Sequence, residues 1–138
     1  MPAFARTFAG VAIALAIGAA PAPAKDAPPH GDPQSGEAIY ARCLACHALA
    51  YDRTGPRHCG LFGRHAGSVK GFSYSAAMKR STIVWSENTL DRFLANPLKA
   101  IPGTAMGYAG IENARERADL IAFLKQANES PQCKKQGD

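Results

Sequence analysis

The chain has 138 residues, 20% of them charged, and a formal net charge of +5, which allows one domain and excludes two of ordinary size. The mild basicity contains no run of like charges. That composition excludes a nucleic-acid module and suits an anionic protein partner or a membrane surface.

Residues 1–24 have the layout of a secretory signal peptide. Arg6 gives a short basic start, residues 8–20 are apolar and small, and Ala22-Pro23-Ala24 offers a small-x-small cleavage site. The apolar run is shorter than the ~20 residues of a spanning helix. Cleavage after Ala24 is expected, with retention as an anchor the lesser alternative. The mature chain then begins near Lys25 with a net charge of about +4. Residues 25–33, rich in proline, predict a disordered lead-in.

A first helix is expected over residues 34–46, capped by Asp32 or Ser35, with Ile39, Tyr40, Leu44 and His47 on one face. Its end carries Cys43-Leu44-Ala45-Cys46-His47, the attachment signature of c-type haem. On one helical turn, positions i, i+3 and i+4 share a face. Both thiols can therefore meet the two vinyl edges of one porphyrin while His47 points an imidazole at its iron. A redox dithiol needs no following histidine, and a zinc site needs a second ligand pair that the chain lacks. Thioether attachment is completed outside the bacterial cytoplasm, which agrees with export.

Residues 54–71 hold five glycines and one proline and predict a loop; residues 73–80 predict a short helix at best. A clearer helix spans 87–95, with Ser86 as cap, Leu90, Phe93 and Leu94 on one face and Pro97 beyond its end. Residues 102–110 are irregular around Met106. The strongest helix spans 112–129, where Ala118, Leu120, Ile121, Phe123 and Leu124 form the apolar face. There is no alternating strand pattern and no repeat. The expected architecture is all-α: four or five short helices with long loops over residues 34–130, then a tail over 131–138. So few helices cannot bury enough apolar surface alone, and a haem supplies the missing core.

The sixth iron ligand decides between electron transfer, where the site is filled, and gas or peroxide chemistry, where it is open. The candidates are Met106, Met78, His30, His58 and His65. Met106 lies in a proline and glycine loop, whereas methionines that merely fill cores usually lie in periodic helices. Met78 suits packing, and His58 and His65 are expected to be exposed loop residues.

At this point the chain resembles class I cytochrome c, of the mitochondrial and bacterial cytochrome c2 type, over residues 36–125. Besides Cys43 to His47, the resemblance rests on Thr54-Gly55-Pro56, Gly60-Leu61-Phe62-Gly63-Arg64, Phe72-Ser73-Tyr74-Ser75, Trp85 and Asn96-Pro97. It continues through Ile101-Pro102-Gly103-Thr104-Ala105-Met106, Ala109-Gly110-Ile111 and the stretch from Arg117 to Lys125. The resemblance implies one haem c bound through Cys43 and Cys46, with His47 and Met106 as axial ligands. It implies that Pro56 offers its carbonyl to the other nitrogen of His47, that Tyr74 and Trp85 donate to a buried propionate, that Arg64 neutralises it, and that Thr104 organises the loop near Met106. Either Ile39 or Tyr40 would meet the last helix.

The chain also departs from the family. The loop after His47 is trimmed, Met78 stands where an asparagine is common, and Leu98 and Ala105 stand where lysines are common. Arg42, Arg53 and Lys99 remain near the haem edge, so docking is expected to rely more on apolar contact. Cys59 and Cys133 are left over from haem attachment. In an oxidising compartment a disulfide between them is favoured over two free thiols. It would close a span of about 75 residues and contribute ~2–4 kcal/mol.

The function implied is a periplasmic, monomeric one-electron carrier, with redox proteins as donor and acceptor and no small-molecule substrate. The alternatives are a haem peroxidase or gas sensor with a labile distal ligand, and the haem subunit of a larger respiratory complex.

Overall fold

The structure is a computed structural model that describes residues 30–135. The expected signal peptide and most of the lead-in lie outside the described residues. Six α-helices and one 3-10 turn are present among them: α1 Pro33–Tyr40, the turn Ala41–Cys43, α2 Ala76–Arg80, α3 Glu87–Ala95, α4 Pro97–Ala100, α5 Ala114–Glu129 and α6 Pro131–Lys134. An isolated bridge between His65 and Val84 is the only extended pairing among the described residues. The class is all-α.

Asp32 caps α1, its carboxylate accepting from the backbone N–H groups of Gln34 and Ser35, and Pro33 occupies the first turn, where a missing N–H costs nothing. The helix ends earlier than the sequence pattern predicts. Leu44, counted on the apolar face, is 45% exposed and gives the helix nothing to bury there. The backbone tightens through the 3-10 turn. Cys46 and His47 then both donate to the carbonyl of Cys43, at 3.1 and 2.8 Å, so the attachment motif forms its own closed turn.

α1 packs against α5 at close range. A Cβ on Gly36 would fall 2.0 Å from the backbone oxygen of Asp119, so only glycine lets the two helices meet there. Tyr40 also faces α5, its ring centroid 5.1 Å from that of Phe123, and both Ile39 and Tyr40 are buried. Buried Asp119 accepts from the N–H of Asp32 at 2.7 Å and from Nε of Arg115 at 3.0 Å. The start of α1 is thereby fastened to α5.

α3 forms with the predicted bounds because Ser86 and Thr89 make a reciprocal capping box. It buries Leu90, Phe93 and Leu94 against α5 and the core, where Leu120 is 1% exposed. The single turn α4, capped by Asn96, was not anticipated. α6 replaces part of the expected tail: Pro131 opens one turn that buries Cys133, and a disulfide joins Cys133 to Cys59 with their Cα atoms 5.0 Å apart. α2 is shorter than residues 73–80 and starts where the hydroxyl of Ser75 accepts from the N–H of Met78.

Candidate haem site

These elements surround a cavity of about 580 Å³. The segment around the attachment motif, α2, α3, α5 and the loop before α5 all contribute walls, which are largely apolar: Leu61, Leu90, Phe93, Leu94, Leu120 and Leu124. Cys43 is half-buried and Cys46 exposed, neither with a disulfide partner, and both border the cavity.

His47 is buried. Its Nδ1 lies 2.8 Å from the carbonyl oxygen of Pro56. A carbonyl only accepts, so Nδ1 carries the proton and Nε2 keeps its lone pair for a metal. Burial lowers the imidazole pKa and so favours the neutral ring, with the Pro56 bond acting in the opposite sense. Gly55 stands against the ring, for a Cβ there would lie 2.3 Å from Cε1 of His47.

His58 departs from expectation. It is not an exposed loop residue; its ring stacks on that of His47 with centroids 4.4 Å apart and planes 21° apart. Its Nδ1 shares a hydrogen bond of 3.1 Å with the hydroxyl of Tyr40. Burial, followed by His47 and Arg64, pushes its pKa down to about 3, and burial pushes the Tyr40 phenol up to about 12. The neighbouring Cys59, pinned by its N–H to the carbonyl of Leu49 at 2.7 Å and by the bond to Cys133, draws this loop inward. His65 and His30 are exposed and outside the cavity wall.

Met106 is half-buried and also lines the cavity. Thr104 is buried, and its hydroxyl oxygen accepts from the N–H of Met106 at 3.2 Å. Met78 is buried in the core and also borders the cavity from α2.

Arg64, Tyr74 and Trp85 come together at the same cavity. Arg64 and Trp85 sit on facing backbones, Trp85 donating to the carbonyl of Arg64 at 2.9 Å and Gly63 to that of Trp85 at 2.8 Å. The Arg64 guanidinium donates to the carbonyls of Cys59 and Arg57, both at 2.9 Å, and burial presses its pKa below the usual value. Among the described residues no carboxylate forms an ion pair with it. The Tyr74 hydroxyl accepts from the N–H of Val69 at 3.4 Å, leaving its own proton to donate. Trp85 packs on Phe93 at 5.0 Å.

A partly buried cation without a carboxylate, beside a phenol and an indole, suits an anionic group entering the cavity. Apolar walls suit the flat ring that would carry such a group. The residues present therefore fit haem, and Arg64 is the group that would receive one of its propionates. The nine residues singled out in the sequence all line this cavity; Gly55 as a space constraint and His58 as part of the wall are not among them. Gly55 lay in view within Thr54-Gly55-Pro56. His58 carried one usable signal, its position beside a cysteine that a disulfide would pull into the fold.

Two thiols, a free imidazole nitrogen and an apolar cavity with a cationic corner define a c-type haem protein. The cytochrome c family model matches residues 33–128, and the chain belongs to that family, carrying haem c covalently through Cys43 and Cys46. A cytochrome c from Sesamum indicum is 49% identical over 106 residues, covering 74% of this chain and 95% of its own length. Cytochrome c2 from Blastochloris viridis is 43% identical over 117 residues, covering 83% of this chain and 87% of its own. Among solved structures, cytochrome cH from Methylobacterium extorquens is similar with a TM-score of 0.68 and 38% identity, covering 70% of this chain and 99% of that one. Membership identifies the chain as an electron carrier that works with redox partners.

Proposed function

We propose that the chain is an exported, periplasmic one-electron carrier in which His47 and Met106 are the axial ligands of haem c. The observation that carries this reading is the bond from Nδ1 of His47 to Pro56 at 2.8 Å, which leaves Nε2 as the ligating atom and anchors the ring at Nδ1. Haem held in this cavity would supply an iron able to take up and give back one electron. The protein's task is to keep the ligands still and water out, so that little rearrangement accompanies the electron. Thr104 holds the backbone of Met106 for that purpose. Arg64, Tyr74 and Trp85 would receive a propionate of the group.

The cavity wall also argues for a carrier over a peroxidase. Its histidines are His47 and His58, which stack on each other, and acid–base catalysis of peroxide cleavage needs a group on the opposite face. Leu44 and Leu98, 45% and 52% exposed, suit apolar docking of the donor and acceptor to a monomer. Arg42 spends its charge on Glu116 at 2.8 Å, and Arg53 donates to the carbonyl of Leu44 at 2.7 Å. Residues 1–24 supply the signal for export, and the compartment lets Cys59–Cys133 stay oxidised.

The test is the optical spectrum of the purified ferric protein. The expected result is a weak far-red band from iron–methionine sulfur bonding, lost in Met106→Ala. Absence of the band, with ready binding of carbon monoxide by the ferrous protein, would replace the carrier reading by ligand binding or catalysis.

A further inference from the structure

We infer that His58 is a positioning residue for the haem ligand, setting the rotational orientation of the His47 imidazole and itself held by Tyr40. The inference rests on His47 being the axial ligand. A single hydrogen bond from Nδ1 to Pro56 fixes one atom of the His47 ring and leaves the ring plane free to rock about that bond. Two further contacts remove this freedom. Gly55 lies against the Cε1 edge, and the ring of His58 covers a face at 4.4 Å and 21°.

His58 is in turn unable to rotate freely. Its Nδ1 is tied to the Tyr40 hydroxyl at 3.1 Å, and the Tyr40 ring meets it edge-on at 5.6 Å. Tyr40 is 4% exposed and belongs to α1. Its ring also packs on Phe123 of α5. A path of fixed groups thus runs from the α1–α5 helix pair to the metal ligand: Phe123, Tyr40, His58, His47. An aliphatic residue would fill the same space without a polar atom to satisfy. What imidazole adds is a flat face parallel to the ligand ring and a nitrogen that a neighbouring hydroxyl can hold.

The experiment compares the paramagnetic NMR shifts of the haem ring methyls in the ferric holoprotein, which report the orientation of the axial ligand plane, with thermal unfolding recorded alongside. The variants are His58→Leu, which keeps bulk but loses the face and the bond, His58→Asn, which keeps a planar group with a polar atom near Nδ1, and Tyr40→Phe, which loses only the hydroxyl. His58→Leu is expected to redistribute the methyl shifts, Tyr40→Phe to move them the same way by less, and His58→Asn to stay close to wild type. A wild-type pattern in His58→Leu overturns the inference whatever happens to stability, and so does His58→Asn displaced as far as His58→Leu. A wild-type pattern in Tyr40→Phe overturns the link to α1. Should His58→Leu not fold, Tyr40→Phe decides: displacement supports the inference and its absence refutes it. If the wild-type ferric protein is not low-spin, the ligation reading fails together with this one. With a low-spin wild type, only the role of His58 is at stake.

Discussion

The surroundings of His47 and of Met106, both of which line the cavity, are built to different standards of constraint. On the His47 side the imidazole meets a hydrogen bond, a glycine that admits no side chain and a stacked second imidazole, and the loop behind it is closed by a disulfide. On the Met106 side one side-chain hydrogen bond, from the Met106 N–H to Thr104, organises the loop. Its neighbour Gly107 has nothing within 4 Å of a built Cβ. The difference teaches where the fold concentrates constraint: around the imidazole that belongs to the covalent attachment turn. A thioether on a lightly held loop can adapt to a ring already seated.

Breaking the closure behind His47 should have the largest effect. Replacing Cys59 and Cys133 by serine, or reducing the bond, is expected to cost ~2–4 kcal/mol in denaturant unfolding of the holoprotein. A paired glycine experiment sharpens the contrast between the two surroundings. Gly55→Ala puts a methyl 2.3 Å from Cε1 of His47 and should cost ~1–3 kcal/mol while disturbing the haem spectrum. Gly107→Ala meets no atom and should stay within ~0.5 kcal/mol of wild type. Equal effects at the two glycines would show that the two surroundings are equally constrained.

On the Met106 side, Thr104→Val removes the acceptor of the Met106 N–H. We expect a loss of ~1 kcal/mol and a weaker far-red band, read by unfolding and absorbance. The smallest effect lies at the rim. The hydrogen bond from Arg42 holds the Glu116 carboxyl below its ordinary value. The pair's contribution is therefore full above the ordinary glutamate pKa and disappears as pH falls through the lower folded value. Glu116→Gln should lower the unfolding temperature slightly near pH 7 in low salt and not at all in strong acid.

The parts of the fold that chemistry dictates were the most legible. Cys43, Cys46 and His47 follow from where two vinyl groups and an iron lie on one ring, and α3 was bounded correctly because Ser86 and Pro97 bracket a clean apolar stripe. Period alone misled at α1. Leu44 kept the helical spacing, yet it faces outward, and the backbone had already tightened at Ala41. The single turns α4 and α6 are too short to show any period; only Asn96-Pro97 and Ser130-Pro131 hint at their starts. His58 reads as solvent-facing because it is a polar residue between Arg57 and Cys59. Its burial depends on Tyr40, eighteen residues upstream in another element, and no local pattern encodes such a partner.

The meeting of α1 and α5 through Gly36 also bears on when this protein can fold. The first helix of the described chain has its buried face completed by the last long one, with the attachment motif and both cavity loops strung between them. Until residues 114–129 have reached the compartment where the chain folds, α1 has no surface to pack on, and an isolated eight-residue helix is marginal in water. Folding must wait for nearly the whole chain and for the closure of a long intervening loop. Until then Cys43 and Cys46 remain on an open segment, accessible to the chemistry that has to reach them before the core shuts.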